Sequence, residues 1–345
     1  MNDHNTTPSN SIQRQDKVTP KFDYTAVLSE VSEGTQQDGL ITGEQLLLMP
    51  YEKMPTLIEP ILQQTGIACL AGSSDTGKST LLRQLVIDIV TGEPDFLGFP
   101  INAVHRSAIY VSTEDLESET IFLLKRQASK YTPDQLKGLR YIFGNEYELK
   151  DKLDEALTNK PADIVVIDCF SDGFPADLKD TQRIRAYLNP FQDLAQKHKC
   201  LILFLHHTGK RTENAEPNKN NLLSGQGLEA KMRIVFELRA DLMHPQFRHL
   251  CIVKGNYLPA NYKRESFVLL FDEPNFHFTN TGERTPFELL VKNVNTEQDK
   301  EKWQQVKELT DKGLTYEAIA EIMGYSSKGT ISKLLKKGTE KGWDK

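Results

Sequence analysis

One string, Gly72-Ser73-Ser74-Asp75-Thr76-Gly77-Lys78-Ser79, constrains this chain more than any other. It is a complete GxxxxGK[ST] pattern, preceded by the apolar run GIACLA and followed by STLLRQLVIDIV, whose spacing is helical. Glycines at both ends let backbone N–H groups turn inward around an anion at a helix N-terminus. Lys78 brings charge to the β- and γ-phosphates, and the Ser79 hydroxyl suits Mg²⁺. Thr80 continues the helix beside the nucleotide. Asp75 is an anion in an anion-binding loop and is expected to point outward. The residues from Gly72 to Thr80 are therefore read as a nucleoside triphosphate site, with ATP and Mg²⁺ as its ligands.

Such a loop belongs to a strand–helix frame, and the rest of the chain supplies one. Apolar runs predict strands at Gly66–Ala71, Ala108–Ser112, Leu139–Phe143, Ile164–Ile167, Cys200–Leu205, Ile234–Leu238, Leu250–Val253 and Phe267–Phe271. Helical spacing fills the early gaps at Lys78–Val90, Leu116–Ser129, Tyr147–Leu157 and Thr181–Lys197. Alternation of this kind predicts an α/β core with a mostly parallel sheet and helices on both faces. The last strands follow one another closely, as in an antiparallel extension. Residues 1–45 read as a flexible tail, 46–279 as the core, 280–299 as a polar linker and 300–345 as a small all-helical domain.

Phosphate chemistry needs a second carboxylate for the metal's shell, delivered from a neighbouring strand end. Asp168 closes the run Ile164-Val165-Val166-Ile167 and fits that role; the alternative is an Asp capping a turn beside Ser171 and Asp172. Glu114, where the strand Ala108–Ser112 runs out, is the candidate for activating water. The pair Glu114-Asp115 also suits the start of the next helix, so both roles stay open, with Asp115 as cap. In LILFLHHTGK, His206 and His207 alternate if the strand persists, and only one can face the nucleotide. His207 is favoured, as a γ-phosphate sensor or a link to DNA. With no cysteine or paired acid at metal spacing around it, zinc is discounted.

The four cysteines (Cys69, Cys169, Cys200, Cys251) lie far apart and in or beside apolar runs, which predicts buried thiols and a reducing, cytoplasmic setting. The start MNDHNTTPSN has no basic end or apolar core, and no run approaches a membrane span. A net charge of −6 excludes a uniformly basic coat, so nucleic acid must meet a local patch.

That patch lies at the end of the chain. Trp303, Val306 and Leu309 mark one helix face, ended by Gly313. Thr315 caps a second helix with Ile319, Ala320 and Met323 inward. After a turn at Gly324, a third runs from about Ser327 to Lys337 with Ile331, Leu334 and Leu335 inward. This is the spacing of a helix-turn-helix, similar in wording to sigma-factor and resolvase versions. From Met323 onward there are six lysines and two acids. Lys328, Thr330, Lys333, Lys336 and Lys337 face outward and are the candidate DNA contacts, with lysines suited to phosphates. The alternative is a helical bundle that packs on the core or a partner.

These pieces, in this order, resemble the RecA-like ring ATPases, above all the hexameric replicative helicases of the plasmid RepA type, with DnaB and KaiC more distant. The resemblance covers about Pro50 to Phe271. It rests on LIEPILQQTGIACLAGSSDTGKST, YVSTED, VVIDCFSDGF, LFLHHTGK, LLSGQGLEAKMRIVFEL and VKGNY. It implies a catalytic role for Lys78, Glu114 and Asp168, and a homo-oligomer, a hexameric ring. It likens RTENAEPNKNN to a mobile loop facing the ring channel. It also implies that Lys254, with Arg233, reaches the next subunit's nucleotide, although Asn256 stands where the family has arginine. Solvated strand-end charges are the alternative for Lys254, Arg233 and Arg239. The resulting expectation is an ATP-driven DNA motor or remodelling ATPase for a plasmid or other mobile element. An ATP-switched DNA-binding regulator is the rival, and a KaiC-like signalling ATPase the third reading.

Overall fold

The structure is a computed structural model that describes residues 41–49, 53–144, 148–178, 180–209, 212–223, 226–291, 296–325 and 328–343. Its centre is one nine-stranded sheet built from β1 (Gly66–Gly72), β2 (Ala108–Ser112), β3 (Leu139–Phe143), β4 (Ile164–Asp168), β5 (Leu201–His207), β6 (Ile234–Ala240), β7 (Phe247–Gly255), β8 (Glu265–Asp272) and β9 (His277–Pro286). The spatial order is β9-β8-β7-β6-β1-β5-β4-β2-β3. From β6 through β1 to β3 every pairing is parallel, and β6 to β9 pair antiparallel. The expected mostly parallel sheet with an antiparallel extension is what forms.

Period-two alternation gives the sheet its two covered faces. Ala68, Leu70, Tyr110, Val166, Leu203 and Leu205 point to one side, where α1 (Lys78–Thr91) buries Leu81, Leu85, Val86 and Ile89 against them. The alternate residues, Ile67, Cys69, Ile109, Val111, Val165, Ile167 and Phe204, face the other side. There α3 (Leu149–Asn159) contributes Leu149, Leu153 and Leu157, and α4 (Thr181–His198) contributes Ile184, Leu188, Phe191 and Leu194. Between α1 and α3 in sequence lies α2 (Glu117–Gln127), which buries only Thr120 and Gln127. The short α5 (Gln226–Lys231) precedes β6.

The segment expected to be a linker departs from its reading. The edge strand β9 runs to Pro286, well inside 280–299, and Phe287 and Leu290 then bury themselves against Cys251. The polar string NTGERTP hides this strand from a hydropathy reading, because an edge strand needs only one apolar face. A register shift opposite Phe267 and Leu269 also breaks the alternation. The core therefore continues to about Val291.

Residues from Thr296 onward form three helices, α6 (Thr296–Asp311), α7 (Tyr316–Ile322) and α8 (Lys328–Lys341). Their shared core is Val306, Ile319, Ala320 and Ile331, with Leu309, Met323, Leu334 and Leu335 around it. The Thr315 hydroxyl accepts from the Ala318 N–H at 3.4 Å as predicted, and Gly313 and Gly324 take left-handed turns at φ of 82° and 71°. At the other end, residues 1–40 of the expected tail lie outside the described residues. The helix Gly43–Leu48 forms a unit apart from the core, and its first turn is closed by a reciprocal Thr42–Gln45 capping box. Order thus starts before Leu46. Among the described residues no helix is long and apolar enough to cross a membrane.

Candidate active site

Four neighbouring strands end on the same side, and their order, β1-β5-β4-β2, explains the site. β1 delivers the phosphate loop, β5 ends on His207, β4 ends on Asp168, and β2 runs out two residues before Glu114. Register keeps them level, since Gly72 pairs with His207 and Ser112 with Asp168. Ligands of open α/β sheets sit outside such strand ends.

The loop itself is closely held. Gly77 has φ of 89°, and a Cβ there would lie 2.8 Å from Cζ of the Phe278 ring, so only glycine fits. Asp75 is exposed, as expected, with φ of 62°. Ser74 is also exposed, whereas Ser73, Ser79 and Thr80 are half-buried. Lys78 is buried, and its Nζ donates to the Ser73 carbonyl at 2.8 Å, as does the Thr76 hydroxyl at 3.0 Å. Burial lowers the Lys78 pKa, and the carboxylates of Asp168, Glu114 and Asp75 oppose that shift. A cation pulled from water and facing acids gains most when phosphate arrives.

Asp168 is 4% exposed, and its Oδ2 accepts from the Tyr110 hydroxyl at 2.6 Å. Burial pushes its pKa up, while the Tyr110 and Ser79 hydroxyls and Arg83 pull it down. Its Oδ1 is buried without a hydrogen-bond partner. An orphaned carboxylate oxygen beside a serine hydroxyl suits a hard divalent cation with its water shell. Ser79 and Asp168 thus fit Mg²⁺, and Lys78 with the loop fits the phosphates.

Glu114 extends toward solvent, with Oε1 3.5 Å from His207 Nε2. His206, by contrast, points into the core, and burial depresses its pKa to about 3. Of the two histidines, His207 is the one beside Glu114. The acids do not cap the helix that follows them. Leu116 is the N-cap of α2 and makes no side-chain cap bond. Asp115 instead faces the buried Arg83 at 3.4 Å.

Several residues that complete the site carried no recognisable signal. Thr113 stitches β2 to β4: its N–H and hydroxyl both donate to the Asp168 carbonyl, at 2.7 and 2.9 Å, and the Cys169 N–H donates to the same hydroxyl at 2.9 Å. Glu114 and Asp168 are thereby fixed relative to each other. Arg248 of β7 donates to the Thr76 carbonyl at 3.1 Å, bracing the loop from the antiparallel extension. Gln84 of α1 exchanges two hydrogen bonds with the Phe278 backbone, at 2.7 and 3.0 Å, as a strand would. Cys169 places its thiol 3.2 Å from Glu114 Oε1, although sequence spacing argued against any cysteine near His207.

Lys254 and Arg233 do not join this site within one chain. Lys254 lies opposite Val235, which is level with Cys69 rather than with the loop. Its Nζ is held by the Glu229 carbonyl at 2.7 Å and carboxylate at 3.0 Å. Arg233 is exposed at the amino end of β6, beside Gly66. Arg239 is no solvated strand-end charge. It is 6% exposed and forms a buried ion pair with Glu237. Together they pin the segment after β5: Arg239 donates to the carbonyls of Thr212 (3.1 Å) and Ala215 (2.7 Å), and Glu237 accepts from Asn218 N–H (3.1 Å) and Asn221. The loop likened to a mobile element is anchored from Thr212 to Asn221, while Lys210 and Arg211 lie outside the described residues.

Of the candidate DNA contacts, Thr330 and Lys336 are exposed on α8. Lys328 pairs with Glu317 of α7 at 2.7 Å, between two well-exposed side chains. The side chains of Lys333 and Lys337 lie outside the described residues.

The loop, the buried acid at the end of β4 and the strand-end glutamate have the arrangement of a P-loop ATPase. Residues 44–213 match the AAA domain family. That span holds Lys78, Glu114, Asp168 and His207, and it ends before β6. No curated protein matches the chain.

Proposed function

We propose that this chain is an ATP-hydrolysing DNA motor or remodelling ATPase that acts as a ring, in replication or mobilisation of a plasmid or other mobile element. The observation that carries the hydrolytic part is the convergence of Lys78, Ser79, Asp168, Glu114 and His207 at four adjacent strand ends. Lys78 binds phosphate charge and the loop orients it. Ser79 and Asp168 would hold Mg²⁺, which when bound would supply charge neutralisation to the nucleotide's phosphates. Glu114 takes the proton of the attacking water, and Thr113 keeps that base in register with Asp168. His207, beside Glu114, senses the γ-phosphate in this reading.

The DNA part is supported by the three C-terminal helices, whose turns at Gly313 and Gly324 and whose basic third helix suit a helix-turn-helix. The ring is supported by a deficit. Among the described residues Lys78 is the cation that the loop itself offers to phosphate, and charge developing at the γ-phosphate calls for a further one. Lys254 or Arg233 of a neighbouring copy would supply it, and Lys254 would have to leave Glu229 to do so. The rival reading, an ATP-switched DNA-binding regulator, is favoured by the same helices.

Glu114→Gln tests the base. It should keep ATP bound while turnover falls by ~10²-fold or more. Normal turnover would remove Glu114 from the role. Strand displacement by the wild-type chain, measured with DNA-stimulated ATP hydrolysis, separates motor from switch.

A further inference from the structure

Glu114, Cys169 and His207 offer three different ligand atoms that lie within 4.8 Å of one another, the one such group among the described residues. Glu114 Oε1 is the shared vertex, 3.2 Å from Cys169 Sγ and 3.5 Å from His207 Nε2. A tetrahedral zinc ion has bonds of about 2.0–2.3 Å to oxygen, nitrogen and sulfur, so its ligand atoms stand roughly 3.3–3.7 Å apart. Of the two edges at Glu114, the 3.5 Å one lies within that range and the 3.2 Å one just below it. The third, between His207 and Cys169, spans no more than 4.8 Å. The set is also chemically distinct from the nearby Ser79–Asp168 pair. Hard oxygens suit Mg²⁺, whereas thiolate and imidazole select softer ions.

We propose that Glu114, Cys169 and His207 form a site for zinc or a similar soft divalent ion, and that this ion inhibits ATP hydrolysis. Binding forms metal bonds to the Glu114 carboxylate, the His207 imidazole and the Cys169 sulfur, and the thiol proton leaves to solvent. The side chains of Glu114 and His207 are 48% and 30% exposed, so the fourth position is open to water. The inhibitory half rests on Glu114 being the base, because a carboxylate bound to zinc no longer accepts a proton from water.

The site has a readout that needs no turnover. The metal-free full chain, without nucleotide, is titrated with Co²⁺, and thiolate-to-cobalt charge transfer and tetrahedral d–d bands are recorded. One equivalent should bind and be displaced by Zn²⁺. Cys169→Ser should abolish the charge-transfer band, and His207→Ala should weaken affinity by ~10-fold or more. All four cysteines are buried, but among the described residues Cys169 alone belongs to a group of three ligand atoms, so a band that survives Cys169→Ser would overturn the site. So would a wild-type chain with no thiolate band. Zinc inhibition of ATP hydrolysis is then measured in each variant relative to its own zinc-free rate. Cys169→Ser should need ~10-fold more zinc for the same fractional loss. A cobalt spectrum with zinc-insensitive turnover would keep the metal site but overturn inhibition, and Glu114 as base with it.

Discussion

Replacing Arg239 with methionine isolates the buried ion pair of β6. The side chains of Arg239 and Glu237 are 7% and 3% exposed, so the carboxylate left behind has little access to water. Burial already raises the Glu237 pKa, and Arg239 is the largest influence pulling it down. Without the guanidinium, Glu237 avoids an unpaired buried charge by taking a proton. Protonating a carboxyl of ordinary pKa ~4.3 at pH 7 costs about 3.7 kcal/mol, which caps the electrostatic penalty. The carbonyls of Thr212, Ala215 and Leu290 also lose a donor. The whole loss should fall in the range of about 3–5 kcal/mol found for broken buried pairs.

The sign with pH follows from the same reasoning. A carboxyl whose folded pKa is raised destabilises the fold as pH climbs above its unfolded value, and that cost vanishes below it. At pH 5.5 the protonation cost is only about 1.6 kcal/mol, so the deficit of Arg239→Met should shrink by about 2 kcal/mol between pH 7 and 5.5. Urea unfolding of wild type and variant at both pH values measures this. Adding Glu237→Gln should recover part of the loss at pH 7 and little at pH 5.5. A deficit under about 1 kcal/mol, or one that does not change with pH, would refute the claim that this pair is buried and uncompensated when broken.

Other outcomes test the site and its modules. Gly77→Ala should abolish ATP binding by equilibrium titration, because both the left-handed backbone and the Phe278 contact exclude a methyl group. Ending the chain after Val291 should leave a folded ATPase by circular dichroism and turnover. Its DNA affinity should be weaker and less salt-dependent, and undiminished duplex binding would make the last helices a packing module. Lys254→Ala should bind ATP nearly normally yet lose most hydrolysis, and should regain some when mixed with Asp168→Asn chains. Wild-type turnover in Lys254→Ala would count against a shared site.

The parts readable from sequence were those governed by local rules. The phosphate loop, the strand ends at Asp168 and Glu114, and the second-helix cap at Thr315 follow from motif, period and capping chemistry. What was not readable depends on which strands become neighbours. Cys169 and His207 are far apart in sequence, and the β5-β4 pairing alone brings them together. Arg239 looked like a surface charge because its partner Glu237 sits two residues earlier on the same strand face, a spacing common in exposed strands as well. β9 is hidden because its residues are polar, although its ladder partner β8 directly precedes it, and its hold on Gln84 of α1 reaches back almost two hundred residues.

The strand that seats α1 is also the strand that leads out of the core. Phe278 lies against Gly77 and clasps Gln84, and the same polypeptide then runs along the sheet edge to Leu290 and on to α6. Force applied to the C-terminal helices would travel down this edge as tension and arrive at the flank of the phosphate loop. Peeling a strand from a sheet edge breaks its hydrogen bonds one after another, whereas shearing it loads them all at once. The direction of pull would therefore decide whether a load on the last helices disturbs the nucleotide or leaves it seated.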